Sequence, residues 1–140
     1  MPTKKSGSRK KTSSRTRPKR TSTDPLERVR RIIGAWPEND ERISHGSPTF
    51  WGGMKTFASF HDNHHGDGRV ALWIKSDKDT QEGLATGQPE FFFVPPYVGP
   101  SGWIGVCVDG QVDWDVVAGL LEEGYRSVAP ARALKALDET

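Results

Sequence analysis

Pro89-Glu90-Phe91-Phe92-Phe93-Val94-Pro95-Pro96-Tyr97-Val98-Gly99-Pro100-Ser101-Gly102-Trp103-Ile104-Gly105-Val106-Cys107-Val108 is the stretch that decides how the chain folds. Three consecutive phenylalanines are too apolar for a solvated loop, so at least two must be buried. Pro95-Pro96 removes two backbone donors and fixes two φ angles. The residue before each proline is pushed toward extended geometry. The chain therefore leaves the Phe run stiff and extended. Gly99, Pro100 and Gly102 then make a turn. Residues 103–108 form a short apolar run rich in β-branched side chains, which reads as a buried strand. An aromatic block and a strand thus meet across a rigid corner, and the other elements pack on it.

Working outward toward the N-terminus, Asp24-Pro25 opens a helix, with Asp as N-cap and Pro in the first helical position. Leu26, Val29, Ile32, Ile33 and Trp36 form its apolar stripe, and Pro37 ends it. Residues 37–41 read as a polar connection. A strand pair follows, residues 42–45 and 49–51, around Gly46-Ser47-Pro48. Gly52-Gly53 turns the chain into a strand over residues 56–60. Residues 61–68 read as a polar loop and 69–76 as the returning strand. In that strand Val70, Leu72 and Ile74 share one face, with Ala71 and Trp73 on the other. Residues 77–86 form a short helix closed by Gly87.

Beyond the corner, Asp109-Gly110 is a turn and Asp113 caps a last long helix. Its stripe is Val116, Val117, Leu120, Leu121 and Tyr125, with Val128 beyond; Pro130 interrupts it and residues 131–137 resume as a short helix. This order predicts an α+β fold, an antiparallel sheet bracketed by N- and C-terminal helices. No strand-helix-strand alternation or internal repeat is visible.

The net charge of +2 conceals two opposite segments. Residues 1–22 hold Lys4, Lys5, Arg9, Lys10, Lys11, Arg15, Arg17, Lys19 and Arg20, nine cations with no acid. Residues 23–140 keep the other eleven of the twenty cations and all eighteen acids, a net of −7. Residues 1–22 also have no Val, Ile, Leu or aromatic side chain. Such a segment cannot offset its ordering entropy, so it reads as a disordered basic tail before a single domain over 23–140. No apolar run reaches the ~20 residues needed to span a bilayer. No apolar segment follows the basic start as in a signal peptide. A cytoplasmic location without membrane partners is therefore expected. The lone Cys107 fits that view, and in mid-strand reads as a small core hydrophobe.

Several blocks occur in one order: Ser44-His45-Gly46-Ser47-Pro48-Thr49-Phe50, Lys55-Thr56-Phe57-Ala58, His64-His65, Phe92-Phe93-Val94-Pro95-Pro96-Tyr97-Val98-Gly99, Gly102-Trp103-Ile104-Gly105-Val106, Val112-Asp113-Trp114, and Tyr125-Arg126-Ser127-Val128-Ala129-Pro130. In that order they resemble the MmcQ/YjbR family over roughly residues 26–137. The resemblance implies a small α+β fold of the CyaY-like, or double-wing, type and a label as a DNA-binding protein. Two departures stand out: Ala131 follows the final Ala-Pro where many relatives have Lys, and the basic tail is not part of the family pattern.

Four groups of residues are candidate sites. His61, Asp62, His64, His65 and Asp67 are the densest set of possible metal ligands. Their spacing fits neither a helical His pair nor a finger, so they read as an exposed loop, with no metal and no cofactor expected. His45 beside Ser44 and Ser47 suggests a nucleophile and base, but no orienting third group is visible. Gly46 and Pro48 place His45 on a shaped turn instead. Tyr97 and Trp103 flank the corner as possible stacking surfaces, Tyr97 being the better surface candidate. Trp51, Lys55, Arg69, Trp73 and Lys75 make a mixed basic and aromatic sheet face, or an ordinary solvated one.

The leading reading is non-enzymatic nucleic-acid binding. The nine tail cations, with Lys55, Arg69 and Lys75, contact phosphates. The alternative is a small-molecule-binding domain or an enzyme using a cleft near His45 and Tyr97. Some relatives carry a label as phosphoribosylglycinamide formyltransferases. That chemistry needs a nucleotide-type α/β domain and an Asn-His-Asp set, of which Asn63-His64 is the only trace.

Overall fold

The computed structural model describes residues 24–139. The basic tail, with its predicted disorder and its nine cations, lies outside the described residues. The described residues divide into two units, one ending at Ile32 and the other beginning at Ile33. In the first, helix α1 (Pro25–Gly34) begins where the Leu26 N–H donates to Asp24 Oδ1 at 3.1 Å. Val29 on its apolar stripe is fully buried, and Glu27 pairs with Arg30 at 2.9 Å one turn later.

In the second unit, six antiparallel strands form one sheet. They are β1 (Asn39–Ser44), β2 (Ser47–Gly52), β3 (Lys55–Asp62), β4 (Val70–Ile74), β5 (Phe92–Phe93) and β6 (Ile104–Cys107). Their spatial order is β1-β2-β3-β4-β6-β5. Three helices complete the unit: α2 (Lys78–Gly87), α3 (Trp114–Val128) and α4 (Ala131–Asp138). This is the α+β arrangement expected. The polar connection proposed for residues 37–41 is shorter, because the edge strand β1 already starts at Asn39.

Register sorts the side chains between the two faces of the sheet. Ala58 lies opposite Ile74, Phe60 opposite Leu72, Leu72 opposite Val106, Ile74 opposite Ile104, and Phe92 opposite Val106. This face meets α3. A Cβ at Gly124 of α3 would stand 3.3 Å from Ile74 Cγ2 and 3.0 Å from the Lys75 carbonyl, so only glycine allows the helix so close. Tyr125 is fully buried beside it, edge-on to Phe57 at 5.6 Å and tilted over Trp36 at 5.0 Å. Its hydroxyl donates to the Pro37 carbonyl, which fixes the chain between α1 and β1. The apolar stripe expected on α3 includes Val116, but Val116 is exposed, and the buried stripe starts at Val117.

The corner between β5 and β6 keeps its buried anchors, but only one of the three phenylalanines, not two, is buried, because Phe91 and Phe93 sit at its open sides. Phe92 and Trp103 are buried, Pro95 is among the fully buried side chains, and Phe91 and Phe93 are half-buried. Gln81 of α2 ties the corner down, donating from Nε2 to the carbonyls of Gly99 (2.8 Å) and Trp103 (2.7 Å). A buried amide with both partners supplied specifies geometry at little cost. Asp77 and Asp113 cap α2 and α3 through the N–H groups of Thr80 and of Asp115 and Val116. The cap hydrogen bonds hold the Asp77 carboxyl below the usual carboxylate range.

Candidate nucleic-acid interface

The face opposite α3 has a different chemistry. Ser59 lies opposite Trp73, His61 opposite Ala71, Trp73 opposite Gly105, Ala71 opposite Cys107, and Phe93 opposite Gly105. Gly105 has no side chain because the Phe93 ring occupies that space; a Cβ there would come within 2.5 Å of ring carbons. Ala71, Trp73 and Trp103 form a buried cluster with Phe93 and Val98 packed against it.

His61 departs from the loop reading. It is the seventh residue of β3, buried, and stacked on Trp73 with ring centroids 3.6 Å apart and 23° between the planes. Its Nδ1 lies 3.2 Å from Ser47 Oγ and its Nε2 lies 2.8 Å from Ser59 Oγ. A neutral imidazole has one donor and one acceptor, and two hydroxyls satisfy both. Burial, with a smaller push from His64, brings the His61 pKa down to about 4. Ser59-His61-Ser47 is therefore a neutral structural set and no nucleophile-base pair. A base this weak cannot take a serine proton, and no carboxylate orients it. The signal that would have found His61 is the two-residue period. Ser59 and His61 share one face of β3, but the polar run after Asp62 hid the continuation.

His64 sits edge-on to Trp73 at 5.0 Å and to His61 at 5.1 Å, and His65 sits edge-on to His64 at 4.1 Å. Among the described residues, no group of three His, Cys, Asp or Glu side chains converges as a metal cage. Cys107 is half-buried at the end of this row. Burial pushes its thiol up, against the pull of Arg69, which leaves it a poor nucleophile.

The predicted basic and aromatic face divides in two. Trp51, Lys55, Lys75 and Trp103 line one open groove of about 590 Å³, together with Met54 and Ser127. Arg42 of β1 lies over the Trp51 ring, its Cζ 4.6 Å from the centroid, while pairing with Asp40 at 2.6 Å. Sequence reasoning does not include Arg42, because a turn read at residues 46–48 instead of 45–46 shifts the register and hides that Arg42 lies opposite Thr49. Arg69 is not in the groove; its Cζ lies 4.0 Å over the Phe93 ring. Trp73 is beneath the surface rather than on it.

The two ligand candidates are also separated. His45 (φ 51°) and Gly46 (φ 81°) form the two-residue turn between β1 and β2, a type I′ pattern, and His45 is exposed there. Tyr97 instead has His64 and His65 as ring neighbours, at 6.2 and 6.5 Å. Among the described residues no hydrogen bond or ring contact joins Tyr97 to His45. A further cavity of about 440 Å³ lies at the start of α3, between Phe91, Phe92, Val116 and Val117.

The family model for YjbR matches residues 34–127. The chain belongs to the YjbR family. The matched span holds all six strands of this YjbR domain and every residue of the groove except Val128; the basic tail and α4 fall outside it. The YjbR chain is also similar to the Deinococcus radiodurans protein DR2400, whose crystal structure carries a DUF419 domain. The two share 19% identity over 83% of this chain and 91% of that chain, with a TM-score of 0.65, a likeness that shows the fold. No curated protein matches the chain. Among the described residues, no helix is long and apolar enough to cross a membrane.

Proposed function

We propose that this YjbR-family protein binds nucleic acid through the groove where Trp51, Lys55, Lys75 and Trp103 of the sheet meet Ser127 and Val128 at the end of α3, aided by the cations of residues 1–22. The observation that carries the reading is the groove in which Lys55 and Lys75 flank Trp51 and Trp103. Among the described residues neither lysine is in an ion pair. Unpaired ammonium groups beside an indole suit phosphates and bases together. Residues 23–140 carry a net of −7, so bulk charge repels a polyanion and attraction must be local. Lys55 and Lys75 supply that local site, and the tail supplies sequence-independent phosphate contacts.

Binding of the full chain to an oligonucleotide across a salt series tests the reading. With roughly five to seven phosphates neutralised, the log-log slope is steep, at about 0.7 to 0.9 per contact. Deleting residues 1–22 should remove most affinity at physiological salt. Lys55→Ala with Lys75→Ala in the full chain should flatten the slope by about 1.4 to 1.8. Binding that is absent, or unchanged by both alterations, would overturn the proposal.

A further inference from the structure

We infer that Tyr97, His64 and His65 form a separate seat for an unpaired base, so that the partner is single-stranded rather than duplex nucleic acid. This rests on the nucleic-acid reading of the groove. Tyr97 is 75% exposed, so its ring contributes little to the core. Yet its backbone is left-handed, with φ of 67°. A bulky residue in that region is uncommon, and the conformation costs of the same order as a lost hydrogen bond. Tyr97 is held there by Pro95-Pro96 before it and the buried Gly99 after it. Since the exposed ring recovers little of that cost through burial, the strain serves to hold an aromatic surface in place.

The imidazoles opposite it are positioned in the same way. His65 has φ of 51°, and Asn63, with φ of 58°, fixes the loop by accepting the Gly68 N–H at 2.7 Å on Oδ1. His64 stands edge-on to Tyr97, and beneath it the His61–Trp73 stack makes a rigid floor. Ser47 and Ser59 hydrogen-bond to both nitrogens of His61, which fixes the orientation of its ring. Trp73 in turn packs with Trp103, which lines the lysine groove, so one buried pair of indoles supports both sites. The result is an open aromatic corner with imidazole donors and acceptors at its rim, linked to the lysine groove through the Trp73–Trp103 pair.

A paired base in a duplex has both faces covered by its neighbours and offers none to a side chain. An unpaired base offers its π-face, and every base has one. Imidazole nitrogens can also reach the exposed edge of such a base. An aromatic seat linked to a phosphate-binding groove therefore selects single strands.

The test uses the full chain and fluorescence anisotropy with a labelled oligothymidylate of about twelve nucleotides and a duplex of equal length. Tyr97→Ala should weaken single-strand binding roughly 5- to 100-fold, while leaving the salt slope and the weaker duplex binding unchanged. Tyr97→Phe keeps the ring and should stay within about twofold of the parent. Tyr97→Gly relaxes the backbone and removes the ring. It should show the same loss as the Ala variant, which separates the seat from a folding defect. If both ring deletions leave single-strand affinity intact while Lys55→Ala with Lys75→Ala weakens it, the seat is wrong and the groove reading stands. Equal losses for duplex and single strand would also overturn the seat. If the chain binds neither probe, the nucleic-acid reading itself falls.

Discussion

Phe60, Leu72 and Val106 make one cross-strand row of the sheet; one residue further on, His61, Ala71 and Cys107 make the next, on the other face. On the α3 side the row is hydrocarbon, and the buried phenol of Tyr125 has its single hydrogen bond to Pro37. On the other side imidazoles, a thiol, indoles and lysines gather within a few strands. A core needs volume and shape but no particular chemistry, whereas recognition needs charge, donors and π-surfaces. Both faces bury core residues, but donors, indoles and imidazoles are concentrated on the face opposite α3.

The largest effect expected comes from the buried aromatics on which both faces depend. Phe92→Ala on the α3 side and Trp103→Ala on the other should each cost about 3–5 kcal/mol. If chemical denaturation shows Trp103→Ala to be near neutral, the second face is not anchored by the Trp73–Trp103 cluster and the comparison fails.

The pH dependence of stability separates the faces next. The folded state holds His61 near pKa 4, below its ordinary 6.5, so the unfolded chain binds a proton that the native protein resists. The stabilisation from this group is complete above about pH 6.5 and is lost as pH falls toward 4. With allowance for solvent screening the loss amounts to about 1–3 kcal/mol. His61→Phe should flatten the urea midpoint against pH in that window. An unchanged slope would show that His61 titrates freely.

Removing the cap with Asp113→Ala should cost about 1 kcal/mol and lower the melting temperature by a few degrees, leaving oligonucleotide affinity alone. A loss of affinity there would draw the α3 side into recognition. The smallest effect belongs to Ile43→Thr at 68% exposure, which should alter stability by no more than about 0.5 kcal/mol.

How much was legible in the sequence follows the same division. Helix caps at Asp24 and Asp113 and the Pro-Pro corner come from local rules, and the structure has them; the cap at Asp77 and the place of β5 beside β6 are visible only in the structure. The α3 face was readable because apolar periodicity marks it, except at Val116, where the stripe begins one residue later. The other face was only half readable. Of the five residues that adjacent strands suggest as one face, Trp51, Lys55 and Lys75 line one groove, whereas Arg69 lies over Phe93 and Trp73 is buried. Which residue sits under another depends on register across strands distant in sequence, as with Ser47 meeting His61 fourteen residues away. The left-handed backbone at Tyr97 had no signal, since tyrosine rarely adopts it.

The five tryptophans test the central claim most directly. Trp51, Trp73 and Trp103 belong to the face opposite α3; Trp36 packs with Tyr125 on the other side, and Trp114 begins α3. A two-dimensional nitrogen-proton spectrum of the labelled full chain follows one indole N–H signal per tryptophan. Titration with a short single-stranded oligonucleotide should move Trp51 and Trp103 most, with a smaller change at Trp73, and leave Trp36 and Trp114 in place. Movement of Trp36 or Trp114 with Trp51 and Trp103 unmoved would contradict the account and transfer recognition to the α3 side.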